Sequence, residues 1–267
     1  MALSPQQIED AANDLFQAEQ SGQQIGLMSK RFPGISLQDA YDIQAGLVQA
    51  KLAAGRRQTG WKIGLTSRAM QDALKIETPD SGVLFDDMHF ESGAEVPKCR
   101  FIQPRIEAEI AFVMGADLSD APTRAEVLAA TEAVVPALEI LDTRILRRDP
   151  DTGEMRVVHD TIADNAANAG IVMGDQRHAA DAVDLRWTGA IVSRDGVVEE
   201  TGLGAAVLDD PVVSVIWLAE RLATQGAQIK AGDVVLSGSF IRPIEATPGS
   251  RIEADYGPFG HVSVSFA

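Results

Sequence analysis

The sequence contains a single cysteine, Cys99, so no disulfide framework can form within the chain. Long hydrophobic runs are absent too: no stretch of about 18 or more apolar residues occurs, and no membrane span is expected. The first residues, MALSPQQIEDAANDLF, are acidic and amphipathic, and they lack the basic start and apolar centre of a signal peptide. These absences favour a protein of the reducing cytoplasm.

Basic residues are scarce. Lys and Arg together number 23 against 39 Asp and Glu, and the net charge is −16 at pH 7. Nucleic-acid binding needs a basic footprint, so this balance argues against it. A small anionic substrate stays compatible with it, because the charge at one site can oppose the overall sign. The four histidines show no metal-ligand spacing, and neither a GxSxG motif nor a Walker A motif is present.

The chain has two regions with different sequence patterns. Residues 1–58 have helical patterns, with Ser36 as an expected N-cap. Residues 59–267 consist mainly of short apolar runs broken by Gly, Pro and Asp, which are typical of strands. Two helices are predicted within them, beginning near Thr123 and Pro211. The pattern therefore predicts an α+β fold, with a helical N-terminal region (1–58) and a mostly β domain (59–267).

The stretch PRIEAEIAFVMG reads as a strand with two unlike faces. Glu107 and Glu109 share one face with Ala111 and Val113, so that face is expected to be partly covered. A third acid, Glu139, lies in the apolar run VVPALEILDT. Buried like charges are costly, and a divalent cation would stabilise all three; oxygen ligands alone favour Mg²⁺ or Mn²⁺. From the spacing alone, a metal site and a solvated strand face are equally compatible with these residues.

Other polar residues stand among small neighbours. In GWKIGLTS, the alternation of a strand places Lys62 on the same face as small residues, which leaves room for a ligand. The alternative interpretation is a surface lysine at a strand edge. Asp164 and Asn165 lie in HDTIADNAANAG, a loop-like segment in which turn chemistry is the alternative. Ser239 in LSGSFIRP could present its hydroxyl to an anion, or it could mark a tight bend. TPDSGVLFDD reads as a loop that carries Asp80.

Six motifs in this order carry a resemblance to a known family: GWKIGLTSRAMQ, PDSGVLFDDM, PRIEAEIAFVMG, VVPALEILDTR, DTIADNAANAG and LSGSFIRP. Together they resemble the hydratase/decarboxylase branch of the fumarylacetoacetate hydrolase superfamily. The resemblance extends from about residue 35 to the end of the chain. It implies a helical N-terminal region, a domain of rolled mixed sheets, and Mg²⁺ bound by three carboxylates.

The resemblance also assigns roles to residues. It places the metal ligands at Glu107, Glu109 and Glu139, and the catalytic residues at Lys62 and Asp80. Mg²⁺ is the expected cofactor, with Mn²⁺ as an alternative. We assign four further residues to substrate binding: Leu65, Ser239, Asp164 and Asn165.

The expected activity is the metal-dependent addition of water to 2-oxohept-4-ene-1,7-dioate, or its 2-hydroxydiene tautomer, in aromatic meta-cleavage catabolism. Sister activities are alternatives: 2-hydroxypenta-2,4-dienoate hydratase and 4-oxalocrotonate decarboxylase. A non-enzymatic metal- or ligand-binding protein is a remote third. The expected partners are a small dianionic 2-oxo acid and further copies of this chain, without nucleic acid or membrane. Four arginines lie close to the third acid in sequence, and none stands out as the partner of the distal carboxylate: Arg144, Arg147, Arg148 and Arg156.

Overall fold

The computed structural model describes residues 2–68, 71–72, 76 and 78–267. Residues 69 and 70 of the motif GWKIGLTSRAMQ lie outside these ranges. Within them, the α-helices are α1 (Pro5–Ser21), α2 (Met28–Arg31), α3 (Leu37–Ala53), α4 (Arg124–Ala130), α5 (Val158–Ala163) and α6 (Pro211–Ala223). The strands are β1 (Gln58–Gly64), β2 (Asp80–Phe85), β3 (His89–Glu91), β4 (Ala94–Val96), β5 (Arg105–Met114), β6 (Thr131–Leu141), β7 (Asn168–Met173), β8 (Gly189–Arg194), β9 (Val197–Leu203), β10 (Val234–Leu236), β11 (Ile244–Glu245), β12 (Arg251–Asp255) and β13 (His261–Phe266).

The helix starts follow the local sequence. Ser36 caps α3, as the sequence predicts, and the structure shows that it forms a capping box with Asp39. Thr123 opens α4, and its hydroxyl accepts a hydrogen bond from the backbone N–H of Glu126 at 3.3 Å. The Asp210 carboxylate caps α6, which begins at a proline. In the part of the chain that the structure describes, no helix is both long and apolar enough to cross a membrane.

The strands form two mixed sheets. The larger has eight strands in the order β2-β1-β10-β5-β6-β7-β3, with β11 paired to β5. The smaller has five strands in the order β4-β13-β12-β8-β9. Strands β1 and β10, β3 and β7, and β4 and β13 pair in parallel, and the other pairs are antiparallel. The predicted α+β fold with mixed sheets is confirmed.

The two faces of β5 have different surroundings. Ile106, Ile110 and their neighbours on the apolar face belong to one hydrophobic cluster with residues of the smaller sheet, such as Ile252 and Val264. The opposite face belongs to a second cluster, against which Val48 of α3 packs. The acid-bearing face of the large sheet therefore points toward the helical layer.

The helical layer shares its core with the rest of the chain. Its hydrophobic cluster includes Leu15 and Ile43 from the N-terminal helices, but also Ile145 and Ile162 from far downstream. The boundary at residue 58 therefore stays a prediction.

Two segments that the sequence predicts as loops are regular elements. Asp80 begins strand β2, because Gly64 and Asp80 are register partners in the antiparallel pair of β1 and β2. HDTIADNAANAG contains most of helix α5, followed by a short 3₁₀ turn. The Asp160 carboxylate accepts a hydrogen bond from the backbone N–H of Val157 at 2.8 Å, so this acid stabilises a helix start instead of a turn.

Candidate active site

Three glutamates meet on the acid-bearing face of the large sheet. Glu107 on β5 and Glu139 on β6 are direct cross-strand partners, and Glu109 follows two residues along β5 on the same face. One carboxylate oxygen from each lies within 4.8 Å of the others. Glu109 and Glu139 have no exposed surface. The structure thus brings together the three acids that the sequence singles out.

The charges and free oxygens of the three glutamates favour cation binding. Burial, and then the charge of Glu139, raise the pKa of Glu107 to about 8. Burial and the same neighbour raise the pKa of Glu109 well above its ordinary value. Two buried oxygens, Oε1 of Glu109 and Oε2 of Glu139, have no hydrogen-bond partner among the described residues. A donor set of clustered carboxylates with unpartnered oxygens fits a hard divalent cation.

Neighbouring groups orient the carboxylates from outside. The backbone N–H of Gly238 donates to Oε2 of Glu109 at 2.8 Å. The side-chain amide of Asn168 donates to Oε1 of Glu139 at 2.7 Å. In each of these two glutamates, one oxygen is held by the protein and the other is unpartnered. Such second contacts fix the direction in which a ligand carboxylate points.

Tyr256, in the connection between β12 and β13, contacts the same strands. Its hydroxyl donates to the carbonyl oxygen of Ala137 at 2.5 Å and accepts from the backbone N–H of Glu109 at 3.2 Å. The side chain is buried, and burial raises the pKa of this phenol. Tyr256 therefore ties the backbone of a candidate metal ligand to the adjacent strand β6.

Lys62 lies at the edge of the cluster. Its Nζ is 3.4 Å from Oε1 of Glu139 and donates to the carbonyl oxygen of Ala166 at 3.1 Å. The side chain is 4% exposed, so it is not the surface lysine of the alternative interpretation. Burial acts against the charge of Lys62, but Glu139, Asp80 and the other two glutamates outweigh it and raise its pKa. The ammonium is therefore held in its charged form.

Asp80 and Lys62 share the space above Gly64. A Cβ atom at Gly64 would lie 2.2 Å from Oδ1 of Asp80 and 2.9 Å from Nζ of Lys62, so a side chain there is excluded. Burial raises the pKa of Asp80, and Lys62 acts against it. Oδ1 of Asp80 is buried without a hydrogen-bond partner within the described part of the chain. A carboxyl group of this kind can exchange protons with a molecule bound beside it.

An unusual backbone run brings Ala166 to Lys62. Asn165, Ala166 and Ala167 all have left-handed φ values, of 51°, 52° and 57°. Such conformations cost about 1–2 kcal/mol per residue for L-amino acids. The Asn165 side chain offsets part of this cost by bonding both backbone groups of Val83, at 2.8 and 2.9 Å. The run is thereby attached to β2, which carries Asp80.

The four residues predicted to bind substrate lie in this region or near it. Leu65, directly after Gly64, has a left-handed φ of 56°. The Asp164 carboxylate is engaged by Arg144, and the hydroxyl of Ser239 lies in a local turn, where it donates to the carbonyl oxygen of Ile241 at 2.9 Å. The Asn165 amide holds Val83, as described. Substrate contact by these four residues stays a prediction.

Two residues of the site were not assigned from the sequence. Asn168 starts β7 beside Glu139, and Tyr256 comes from a distant strand connection. For Asn168 a signal existed, because it stands just before the apolar strand AGIVMG. For Tyr256 no local pattern indicates a contact across the two sheets.

Comparison with known proteins gives concordant matches. Residues 61–266 match the model of the fumarylacetoacetate (FAA) hydrolase C-terminal family. The chain is 46% identical over 256 residues to 2-oxo-hept-4-ene-1,7-dioate hydratase of Escherichia coli, with 96% of each chain covered. It is 40% identical over 265 residues to 2-keto-4-pentenoate hydratase of Paraburkholderia xenovorans (strain LB400), covering 99% of this chain and 96% of the relative.

A solved structure matches over the whole length. It is 4-oxalocrotonate decarboxylase from Pseudomonas putida G7, complexed with magnesium and adipate. The TM-score is 0.92 at 34% sequence identity, with 100% of this chain and 99% of that chain covered. The same enzyme complexed with calcium and acetate matches with a TM-score of 0.91.

Proposed function

The chain belongs to the fumarylacetoacetate hydrolase family, and we propose that it is a hydratase that adds water to 2-oxohept-4-ene-1,7-dioate or its 2-hydroxydiene tautomer. The product is 4-hydroxy-2-oxoheptanedioate. One observation carries the proposal: a cluster of three carboxylates, two of them fully buried, adjoins Lys62 and Asp80, in a chain 46% identical to a hydratase of this substrate.

Glu107, Glu109 and Glu139 would hold the divalent cation, and we propose Mg²⁺, with Mn²⁺ as the alternative. When bound, the cation supplies positive charge that stabilises the negative charge developing on the 2-oxo acid. The three carboxylates carry more negative charge than one divalent cation neutralises. The charged Lys62 offsets this excess, so that an anionic substrate can enter.

Proton transfer falls to the groups above Gly64. Asp80, with its raised pKa and unpartnered Oδ1, accepts and returns protons. A proton leaves the 2-hydroxy group and reaches C5, which gives a ketone conjugated to the C3–C4 double bond. Water then adds at C4, and its second proton reaches C3, so that one molecule of water is incorporated. Lys62 stabilises the C1 carboxylate and the charge on the C2 oxygen.

The leading alternative is a hydratase of 2-hydroxypenta-2,4-dienoate, which is favoured by the 40% identity to a pentenoate hydratase. The two substrates differ in the far end, where only the dioate has a second carboxylate. A site that supplies donors to this carboxylate rejects the substrate that lacks it, because the donors would stay unpaired. The preference should be about 2–4 kcal/mol in transition-state binding.

The test is a substrate panel of the seven-carbon dioate, the pentadienoate and 4-oxalocrotonate. Loss of diene absorbance gives kcat/KM, NMR identifies the product, and released CO₂ is measured. We expect a much higher kcat/KM for the dioate and no CO₂. Equal kcat/KM on dioate and pentadienoate would favour the alternative hydratase, and stoichiometric CO₂ from 4-oxalocrotonate would favour a decarboxylase.

We further propose that the enzyme is a cytoplasmic homo-oligomer of aromatic meta-cleavage catabolism, in the homoprotocatechuate pathway. Exposed apolar side chains near the edge of the smaller sheet support self-association: Trp187, Ile191, Val197, Val198 and Leu203. Light scattering after size-exclusion chromatography tests the oligomer. A monomer at micromolar concentration would contradict it.

A further inference from the structure

A dioate enzyme needs a cation for the distal carboxylate, because a buried charge without a partner is expensive. The segment between β6 and α5 supplies four arginines close to the cluster in sequence: Arg144, Arg147, Arg148 and Arg156. Their contacts differ, and the differences single out one of them.

Arg144 is committed to the protein. Its Nε is 2.5 Å from Oδ1 of Asp164, and its Nη2 donates to the backbone carbonyl of the same residue at 2.6 Å. Its Nη1 donates to the carbonyl oxygen of Asn168 at 3.0 Å. Three of its five N–H groups bind the protein, its charge is paired with Asp164, and only 2% of its surface is exposed.

Arg147 and Arg148 are directed elsewhere. Arg147 donates to the carbonyl oxygen of Gln103 at 2.8 Å and lies 3.6 Å from the carboxylate of Glu245. Both partners line a separate cavity near the C-terminus. Arg148 donates to the carbonyl oxygen of Gly153 at 2.9 Å, within its own loop.

Arg156 combines two features that none of the other three shares: it is partly buried, unlike the exposed Arg148, and among the described residues it lacks the carboxylate partner that Arg144 and Arg147 have. Its Nη1 donates to Oγ1 of Thr143 at 2.7 Å, and within the described ranges no carboxylate forms an ion pair with it. The side chain is half-buried. Burial raises the pKa of Asp80, and Lys62 and, more weakly, Arg156 act against this, so the charge of Arg156 reaches the candidate acid/base.

Arg156 is held by the segment that directly follows the strand of Glu139. Thr143, which accepts its hydrogen bond, lies four residues beyond Glu139 and two residues beyond the end of β6. C2 and C7 of an extended dioate are about 6 Å apart. With ligand contacts of about 2–3 Å at each end, a dioate held at the glutamates needs a cation on the order of 10 Å away. 2-Hydroxypenta-2,4-dienoate has no second carboxylate for such a cation to bind.

We propose that Arg156 binds the distal carboxylate of the substrate and that Thr143 orients its guanidinium. The inference rests on the proposed function, and it names the residue that makes the site selective for a dioate. A planar guanidinium can bind both carboxylate oxygens, which a lysine cannot do in the same geometry.

Kinetics of Arg156→Met test the inference. We expect kcat/KM for the dioate to fall about 10- to 100-fold, the value of one charge-assisted contact. The loss for the pentadienoate should be at least about fivefold smaller, because there only the weak effect of the Arg156 charge on Asp80 is removed. Arg148→Met is the matched control, since it removes a charge from the same loop, and it should leave both values unchanged. Equal losses on both substrates would mean that Arg156 is structural and would overturn the inference.

Binding gives a second readout that does not depend on turnover. Calorimetry on the Mg²⁺-loaded protein compares 2-oxoheptanedioate, which has the distal carboxylate, with 2-oxopentanoate, which lacks it. We expect Arg156→Met to abolish the preference for the diacid and to leave oxalate binding unchanged. If Arg156→Met does not fold, Arg156→Lys is measured instead. This variant should retain part of the preference for the diacid.

The outcomes separate the two claims. If the wild-type enzyme turns over dioate and pentadienoate equally well, the proposed function fails. If the wild-type enzyme prefers the dioate and Arg156→Met keeps that preference in kinetics and binding, the inference alone fails.

Discussion

Glu107 and Glu139 face each other directly across β5 and β6, and Glu109 completes a cluster with them on the covered face of the sheet. Two carboxylates in this position repel each other unless one is protonated or a cation lies between them. The metal-free and metal-loaded proteins should therefore respond differently to pH.

The metal-free protein should lose stability as pH rises from about 5 to 8. The pKa of Glu107 is raised to about 8 from its ordinary value of 4.5, by burial first and by Glu139 second. Between these values the folded chain binds more protons than the unfolded chain, so the free energy of unfolding falls by up to about 1.4 kcal/mol per pH unit and proton. Urea denaturation in the presence of EDTA, repeated from about pH 5 to 8, measures the free energy of unfolding. Glu107→Gln should flatten the curve, and a flat curve for the wild type would contradict the prediction.

Glu109→Gln should weaken metal binding at least about tenfold with little loss of fold. Its amide oxygen can still accept the hydrogen bond from Gly238, and removing one of three like charges relieves repulsion in the metal-free state. Calorimetric titration with Mg²⁺ and thermal denaturation measure the two effects. Glu132→Gln, at an exposed position on β6, is the matched control. Clear destabilisation of the metal-free protein by Glu109→Gln would indicate a structural role.

Lys62→Met should retain metal and fold but lose turnover by about 10²- to 10⁴-fold, because it removes the charge that offsets the excess of carboxylates and a proton carrier. Steady-state kinetics on the dioate, with Mg²⁺ binding in parallel, measure it. Lys98→Met removes an exposed lysine and should be silent. Near-normal turnover of Lys62→Met would remove Lys62 from the mechanism.

Tyr256→Phe should cost about 1–3 kcal/mol of stability, because it leaves the backbone groups of Glu109 and Ala137 without their buried partner. It should also weaken Mg²⁺ binding, since the strand that carries Glu109 becomes less rigid. Denaturation and calorimetry of the same samples measure both effects. A stability loss with unchanged Mg²⁺ affinity would limit Tyr256 to a structural role.

The sequence predicts the acid cluster well, because it depends on strand alternation. Glu107 and Glu109 share a face by spacing alone, and Glu139 stands out as an acid in an apolar run. The N-cap at Ser36 and the helix start at Thr123 are similarly local, and both are confirmed.

The remaining features depend on contacts between distant residues. Asp80 lies in a segment rich in turn-forming residues, and only its pairing with β1 makes it a strand. The left-handed run that begins at Asn165 is maintained by Val83, which is 82 residues away. The contacts of Arg144 and Arg156 likewise depend on how the segment after β6 folds back. The sequence does not distinguish the two arginines, but one binds Asp164 and the other binds Thr143.

The most direct test of the account is the rate of diene loss with the seven-carbon dioate, in protein freed of metal by chelation and then titrated with Mg²⁺. The candidate metal site consists of three clustered carboxylates, two of them buried, and the described residues of this cluster include no His or Cys. Turnover should therefore depend on a hard divalent cation. The account predicts no turnover in the chelated protein and full recovery with Mg²⁺ or Mn²⁺. Full turnover in rigorously metal-free protein would contradict it.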